Sequence, residues 1–286
     1  MRAASRLIAT PGNSMTIQTA LLQGISLLEE GVITAPRLTA EVLLAHALHR
    51  ERVYLYAHPE EELTEVAWIH FGRYLHQRLN GKPTQYITGR QEFYGRDFRV
   101  TPDVLIPRPE TEHLIQASVA RIRPGDIVLD VGAGSGAIAI TLALETQARV
   151  TATDISLVAL RIAQQNAHTL NVGVAFVACD LGAAFADGSF DLVVSNPPYV
   201  PGRDRAALQP EVRDHEPALA LFGGEDGLTI YRRLIPEAVR LLRPGGWLMM
   251  ELGDAVAVRE MCTDWTSIEI VNDLAGIARV LIARRP

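Results

Sequence analysis

Only two of the 286 residues are cysteine, Cys179 and Cys262. No disulfide framework can hold such a chain, and the two positions lack the paired spacing of a zinc site. Both read as buried thiols in a reducing compartment. No apolar run approaches membrane-spanning length, and the first fifteen residues, with Arg2 and Arg6, lack the uninterrupted apolar stretch of a signal peptide. The expected location is therefore the cytoplasm, with no membrane partner. Pro11-Gly12-Asn13-Ser14 interrupts any helix, so residues 1–14 are expected to form a disordered extension. Internal repeats and low-complexity segments are also missing. Positive charge is scarce where it would matter for nucleic acid. The net charge is −6, with eight basic and eight acidic side chains in residues 1–85, six and five in residues 86–123, and 13 against 20 in the remainder. An acidic C-terminal half gains nothing from counterion release on a phosphate backbone, so direct nucleic-acid binding is not expected.

What is present is an ordinary globular composition, 48% hydrophobic and 21% charged, over a length that suggests two domains. Ile17, Leu21, Gly24 and Leu28 share one helical face, as do Trp68, Phe71, Leu75 and Leu79, and Leu38, Val42 and Ala45 repeat the pattern between them. Gly31, Pro36, Pro59 and Gly81 punctuate these segments, which predicts a small helical bundle over residues 15–85. Phe93-Tyr94 and Phe98-Arg99-Val100 flank Gly95 as a short hairpin would, giving a β-hairpin linker over 86–107. From 108 to 286 short apolar runs alternate with helical stretches. Ile127–Leu129, Val150–Ala152, Val174–Val177, Leu192–Val194 and Trp247–Met250 predict parallel strands with crossover helices, and Ile268–Val271 with Arg279–Ile282 a closing antiparallel pair. The fold class is α/β, a Rossmann-like domain of seven strands behind a helical bundle.

Asp130-Val131-Gly132-Ala133-Gly134-Ser135-Gly136 sits where the first strand of that sheet becomes a helix, so backbone can approach a ligand at a helix N-terminus. Gly132, Gly134 and Ala137 satisfy the dinucleotide pattern as well, and at this point a nicotinamide-dependent oxidoreductase or a nucleotide-binding module fits equally. The next two strands end in Asp154 and Asp180, acceptors suited to ribose hydroxyls and, with backbone around Leu181, to an adenine amino group; a loop cap explains Asp180 as well. The fourth strand runs straight into Asn196-Pro197-Pro198-Tyr199. The prolines remove backbone donors. An Asn side-chain oxygen beside a proline carbonyl offers two acceptors in one plane, matching the two hydrogens of a planar NH2 group, while Tyr199 can lie against the conjugated plane. Two such acceptors orient the nitrogen and drain developing positive charge without a prior general base.

The glycine loop followed by Asn196–Tyr199 resembles the amino- and amide-nitrogen branch of the class I methyltransferases. Within it, Thr84–Gly89, Glu92–Gly95, Leu105–Glu112, His215–Leu219 and Asp273–Gly276 resemble the HemK/PrmC family of release factor glutamine methyltransferases. That resemblance implies S-adenosylmethionine as cofactor, released as S-adenosylhomocysteine without a metal. It further implies class I peptide chain release factors as protein substrate, and a Gly-Gly-Gln glutamine gripped by Asn196 and Pro197. The helical domain would recruit the factor. Gly132, Ala133, Gly134, Ser135, Gly136, Asp154, Asp180, Leu181 and Asn196 would hold the cofactor; Asn196, Pro197, Pro198 and Tyr199 would carry the chemistry. Leu181, where some relatives have an aromatic, and Gly253-Asp254-Ala255, without the glutamine that often follows the fifth strand, depart from the pattern. Glu110 and Glu112 either approach the methionine part of the cofactor or simply cap a helix. His46 and His49 read as ordinary helix residues.

The 28 residues between Tyr199 and Leu228 exceed the usual length of an unstructured loop and suit one wall of a substrate cleft; a solvated insertion explains Arg203–Gln209 equally. A DNA adenine or RNA guanine methyltransferase would use the same Asn-Pro-Pro-Tyr geometry but would need a basic recognition region. Calorimetry separates the remaining classes: S-adenosylmethionine is expected to bind and NAD not to, and the reverse result would restore the oxidoreductase.

Overall fold

The computed structural model describes residues 15–286, so the extension expected at 1–14 lies outside the described residues. The chain divides into two compact units. One runs to Gly89 and takes in Pro210–His215, and the other comprises Arg90–Gln209 with Glu216–Pro286.

The first unit contains α1 (Ile17–Glu30), α2 (Pro36–Leu48), α3 (Arg52–Ala57), α4 (Glu65–Leu79) and α5 (Thr84–Thr88). Thr16 and Thr64 cap α1 and α4, their hydroxyls accepting from the Thr19 and Ala67 amides at 3.2 Å. Ile17, Gly24 and Leu28 of α1 and Phe71 and Leu75 of α4 are buried as the spacing predicts, while Leu21, Trp68 and Leu79 of the same stripes are half-buried and Ala20, outside them, is buried. Of the stripe expected on α2, only Ala45 is buried. Leu38 is 46% exposed and Val42 only half-buried, whereas Ala40, Leu43, Leu44 and Ala47 are buried. The reason is that α2 packs on both α1 and α4, so more than one face is covered and a single-stripe reading picks the wrong edge. Each fully buried leucine there contributes about 1.5–3 kcal/mol.

The same helix buries a charge. Glu41, 2% exposed, accepts from Arg37 (3.0 Å), Arg52 (2.8 Å) and the Tyr56 hydroxyl (2.5 Å), which ties α3 to α2. Burial pushes its carboxyl up, but Tyr56, Arg52 and Arg37 together outweigh it and hold the group below its ordinary value.

The second unit opens with the hairpin β1 (Arg90–Phe93) and β2 (Arg96–Arg99), joined by a two-residue turn with Tyr94 and Gly95 both at positive φ. Phe93 and Phe98 meet edge to face at 6.1 Å in this unit's core. There follow α6 (Glu112–Val119), β3 (Ile127–Val131), α7 (Ala137–Glu145), β4 (Arg149–Asp154), α8 (Leu157–Thr169), β5 (Ala175–Ala178) and β6 (Phe190–Ser195). After them come α9 (Pro210–His215, counted with the first unit), α10 (Ala218–Leu221), α11 (Thr229–Leu241), β7 (Leu242–Glu251), α12 (Ala255–Glu260), β8 (Thr266–Asn272) and β9 (Ala278–Arg284). The sheet has seven strands in the order β5-β4-β3-β6-β7-β9-β8, parallel from β5 to β7 and antiparallel over β7-β9-β8. Helices cover both faces, which is why the central strands are apolar throughout: Val128, Leu129, Val193 and Val194 are all buried. No described helix is long and apolar enough to cross a membrane.

Because the Glu41 carboxyl titrates lower in the folded than in the unfolded chain, its stabilisation is present above the ordinary carboxylate range and is lost as pH falls through the folded value. Glu41→Gln is expected to cost about 1–3 kcal/mol at neutral pH. The difference from the parent protein should shrink below about pH 4. Urea unfolding across a pH series measures this, and a difference that survives acidification unchanged contradicts it.

Candidate active site

Strands β3, β4 and β6 are parallel and bring their C-terminal ends to one side, with β4 on one flank of β3 and β6 on the other. A crevice opens where connections diverge in this way. Here it is a cavity of about 430 Å³, in the range of small-molecule sites. Gly132, Ala133, Gly134, Ser135, Asp154, Asp180, Leu181, Asn196, Pro197 and Pro198 all line it; Gly136 and Tyr199 do not.

The loop after β3 is shaped by backbone. Gly132, Gly134 and Gly136 stand at φ of 86°, 52° and 83°, conformations that strain a side chain. The Gly132 and Ala133 amides donate to the Thr153 carbonyl and the Gly134 amide to Asp154 Oδ2 at 2.9 Å, so the loop is moored to the end of β4. A Cβ at Gly132 or Gly134 would meet nothing within 4 Å, which leaves room for a ligand against the main chain. Gly136 has another duty: a Cβ there would come within 2.8 Å of Ile140 and 3.0 Å of Ala163, so its small size lets α7 settle on α8. Asp130 is wholly buried beneath the loop. Its Oδ2 accepts from the Ala139 amide (3.1 Å), and burial pushes its carboxyl well above the ordinary range, against that N–H and with the Asp154 charge adding to the rise.

Asp154 accepts from Gly134 on one oxygen and from the Ser156 amide (2.8 Å) on the other. A carboxylate has about four lone-pair sites, so acceptor capacity remains for ligand hydroxyls. Asp180 is exposed and pairs with Arg233 at 2.5 Å across the cavity wall rather than capping a turn. Leu181, at φ 51°, turns its carbonyl to the Thr153 hydroxyl (2.8 Å) and packs its side chain against the core. Cys262 is buried, and burial pushes its thiol up to about 11. Cys179 departs from the expectation of a buried thiol: it is half-buried and lines the cavity, because β5 is the edge strand and its end stays open.

The end of β6 is held from both sides. The Ser195 hydroxyl donates to the Val131 carbonyl at 2.6 Å, joining β6 to β3 immediately before the glycine loop. The Asn196 amide Nδ2 donates to Thr111 Oγ1 at 3.1 Å, which leaves its Oδ1 as the acceptor. Tyr199 turns away from the cavity: its hydroxyl donates to Glu251 Oε1 at 3.1 Å, and its ring packs so closely on Gly253 that a Cβ there would lie at 2.9 Å. Burial, and then the charge and hydrogen bond of Glu251, raise the Tyr199 phenol well above its ordinary value. Stacking of this ring on a substrate is therefore not what the fold arranges.

Sequence reasoning missed Thr111, Glu251, Arg108 and Glu216. Thr111 Oγ1 donates to Glu251 Oε2 at 2.6 Å. Glu251, at the end of β7, is 2% exposed, and burial holds its carboxyl above the usual range in spite of the Thr111 and Tyr199 hydroxyls. Glu216 is buried, accepting from the Ile106 amide (3.3 Å) and from Arg108, whose side chain lines the cavity. Arg108 and Thr111 lie in the stretch Leu105–Glu112 and Glu216 in His215–Leu219, both already part of the family resemblance but given no such role, whereas nothing in the sequence singles out Glu251. Among the described residues no group of three or more His, Cys, Asp or Glu could hold a metal ion.

The PrmC N-terminal domain model matches residues 19–89 and the methyltransferase small domain model residues 111–214. The chain is similar to the release factor glutamine methyltransferase of Koribacter versatilis, 48% identical over 95% of this chain and 99% of that one. It is likewise similar to the proteins of that name from Nitratidesulfovibrio vulgaris, 41% identical over 94% and 95%, and Moorella thermoacetica, 42% identical over 95% and 99%. Among solved structures, a methyltransferase from Pyrococcus furiosus superposes with a TM-score of 0.51 at 22% identity, over 68% of this chain and 90% of that one, a likeness of fold alone.

Asp154→Ala removes both the mooring of the loop and a cavity acceptor. It is expected to weaken S-adenosylmethionine binding about 10–100-fold by calorimetry, and unchanged affinity would remove Asp154 from the site.

Proposed function

Because the chain belongs to the family of release factor glutamine methyltransferases, we propose that its cavity binds S-adenosylmethionine and that Asn196 and Pro197 hold the side-chain amide of a release factor glutamine for methylation. The observation that carries this reading is that Asn196, Pro197 and Pro198 line the same cavity as the glycine loop and Asp154. A cofactor site and an amide-gripping turn thus share one space.

The residues present fit the cofactor. Gly132 and Gly134 leave the main chain open to it, Asp154 offers acceptors to ribose hydroxyls, and Asp180 and the backbone near Leu181 suit adenine. When bound, S-adenosylmethionine supplies an electrophilic methyl group and leaves as S-adenosylhomocysteine. The protein's own task is to present the nitrogen. A primary amide nitrogen is a poor nucleophile because its lone pair is conjugated with the carbonyl. Asn196 Oδ1 and the Pro197 carbonyl accept its two hydrogens, fix its plane, and stabilise the positive charge that develops on it. One of those hydrogens then leaves as a proton to solvent, so the product is a neutral N-methyl amide. Prolines at 197 and 198 keep competing N–H donors out of the turn. Tyr199 serves by anchoring the turn through Glu251.

The target is the glutamine of the Gly-Gly-Gln loop of class I release factors, and the helical unit recruits the factor in the cytoplasm, where translation terminates. The acidic balance after residue 123, 20 acidic against 13 basic side chains, argues against a phosphate-backbone substrate that would make the enzyme a DNA or RNA amino-methyltransferase.

Asn196→Ala is expected to lower kcat about 100–1,000-fold, the scale for losing one preorganised partner of a developing charge. The assay is transfer of labelled methyl to a purified release factor. Label should vanish when the factor's glutamine is replaced by alanine; label that persists there, or that goes to nucleic acid instead, defeats the assignment.

A further inference from the structure

Asn196 can hold an amide only if its oxygen faces the substrate. Its own amide is nearly symmetric in shape, with an acceptor on one arm and two donors on the other. Turned over, it would set donors against the donors of a substrate NH2 group. Thr111 Oγ1 receives the Asn196 N–H at 3.1 Å, but a hydroxyl alone does not select this orientation, since it can equally donate to the oxygen of a reversed amide.

The selection comes from one residue further in. The Thr111 hydroxyl donates its hydrogen to Glu251 Oε2 at 2.6 Å, in a bond that is wholly buried. With that hydrogen committed, Oγ1 can only accept. Glu251 is held in turn: its Oε1 accepts from the Tyr199 hydroxyl at 3.1 Å, and its backbone carbonyl from the Tyr231 hydroxyl at 2.7 Å. Donation therefore runs one way, from Asn196 to Thr111 to Glu251, and ends on a group that as a carboxylate only accepts.

We propose that Glu251, acting through Thr111, is the positioning residue that sets which way the Asn196 amide faces and so makes it an acceptor for the substrate nitrogen. This deepens the functional reading above and rests on it. Glu251 does not line the cavity and touches no reacting atom; its effect is on orientation. The expected signature is a loss in kcat with little change in cofactor affinity or in KM for the release factor, because the protein surface that recruits the factor is untouched.

The test is a double-mutant cycle on the full-length protein, with methyl transfer to a release factor, S-adenosylmethionine calorimetry and thermal unfolding measured on each variant. Thr111→Val, which keeps the shape and deletes the hydroxyl, should lower kcat about 10–100-fold while KM and cofactor affinity stay within about threefold. Thr111→Ser should recover activity to within about threefold. Glu251→Leu should resemble Thr111→Val, since it leaves the threonine hydrogen no acceptor behind it and frees that hydrogen to be donated to Asn196. The double variant should be no worse than the more affected single variant, as for members of one chain. Independent, multiplicative losses overturn the proposal, as does undiminished kcat in Thr111→Val or a failure of serine to restore it. If Glu251→Leu does not fold, the valine and serine variants decide the matter between them. Parent protein that binds S-adenosylmethionine but never methylates the factor would instead overturn the functional reading itself.

Discussion

The hydrogen bond from Asn196 to Thr111 is the interaction on which the proposed role of the catalytic turn depends. An amide that must accept from its substrate has to be prevented from donating, and this can only be enforced from behind. The fold meets the demand by bringing three distant parts of the chain to one point: the turn before α6, the end of β6 and the end of β7. Parallel pairing of β6 with β7 places Ser195 opposite Met250, one residue short of both Asn196 and Glu251. The Ser195 hydroxyl on the Val131 carbonyl then brings the end of β3, and with it the glycine loop, into the same frame. The glycine loop and the Asn196–Pro197 turn, proposed above to hold cofactor and substrate amide, are thus positioned by one set of strand ends.

Such an arrangement is costly. Glu251 and Asp130 are buried carboxyl groups, each pushed above its ordinary value by loss of water, and the glycine loop holds Gly132, Gly134 and Gly136 in left-handed backbone. The stabilisation that offsets this lies in the apolar strands and helices around the site. Val128, Leu129, Val193, Val194 and Leu248 are fully buried, and burial on both faces of the sheet is what a parallel arrangement requires. The helical unit shows the same balance on a smaller scale, with Glu41 buried among Arg37, Arg52 and Tyr56 beside a leucine-rich core. Fold and function stay separable. A likeness of fold to other methyltransferases does not identify a substrate; the acceptors proposed at Asn196 and Pro197 are what would select an amide.

Much of this was legible in the sequence because it is local. All seven strands, the glycine loop and the Asn-Pro-Pro-Tyr turn are short stretches whose periodicity or residue type suffices. The rest depends on pairings across long distances in the chain. Thr111 lies 85 positions from Asn196 and 140 from Glu251, so nothing near either residue reveals the connection. Tyr199 was expected over the substrate because its ring follows the turn. Its true direction is decided by Gly253 and Glu251, more than fifty positions on. On α2 the error had a different origin: periodicity identifies an apolar stripe but not how many neighbours a helix has, and between α1 and α4 the exposed edge fell on Leu38.

The most direct test is the structure of a ternary complex with S-adenosylhomocysteine and a peptide carrying the Gly-Gly-Gln loop. The glutamine side-chain nitrogen is expected within hydrogen-bonding distance of both Asn196 Oδ1 and the Pro197 carbonyl, with Asn196 Nδ2 still on Thr111. A glutamine amide bound elsewhere, or an Asn196 side chain turned to present its nitrogen to the substrate, would contradict this.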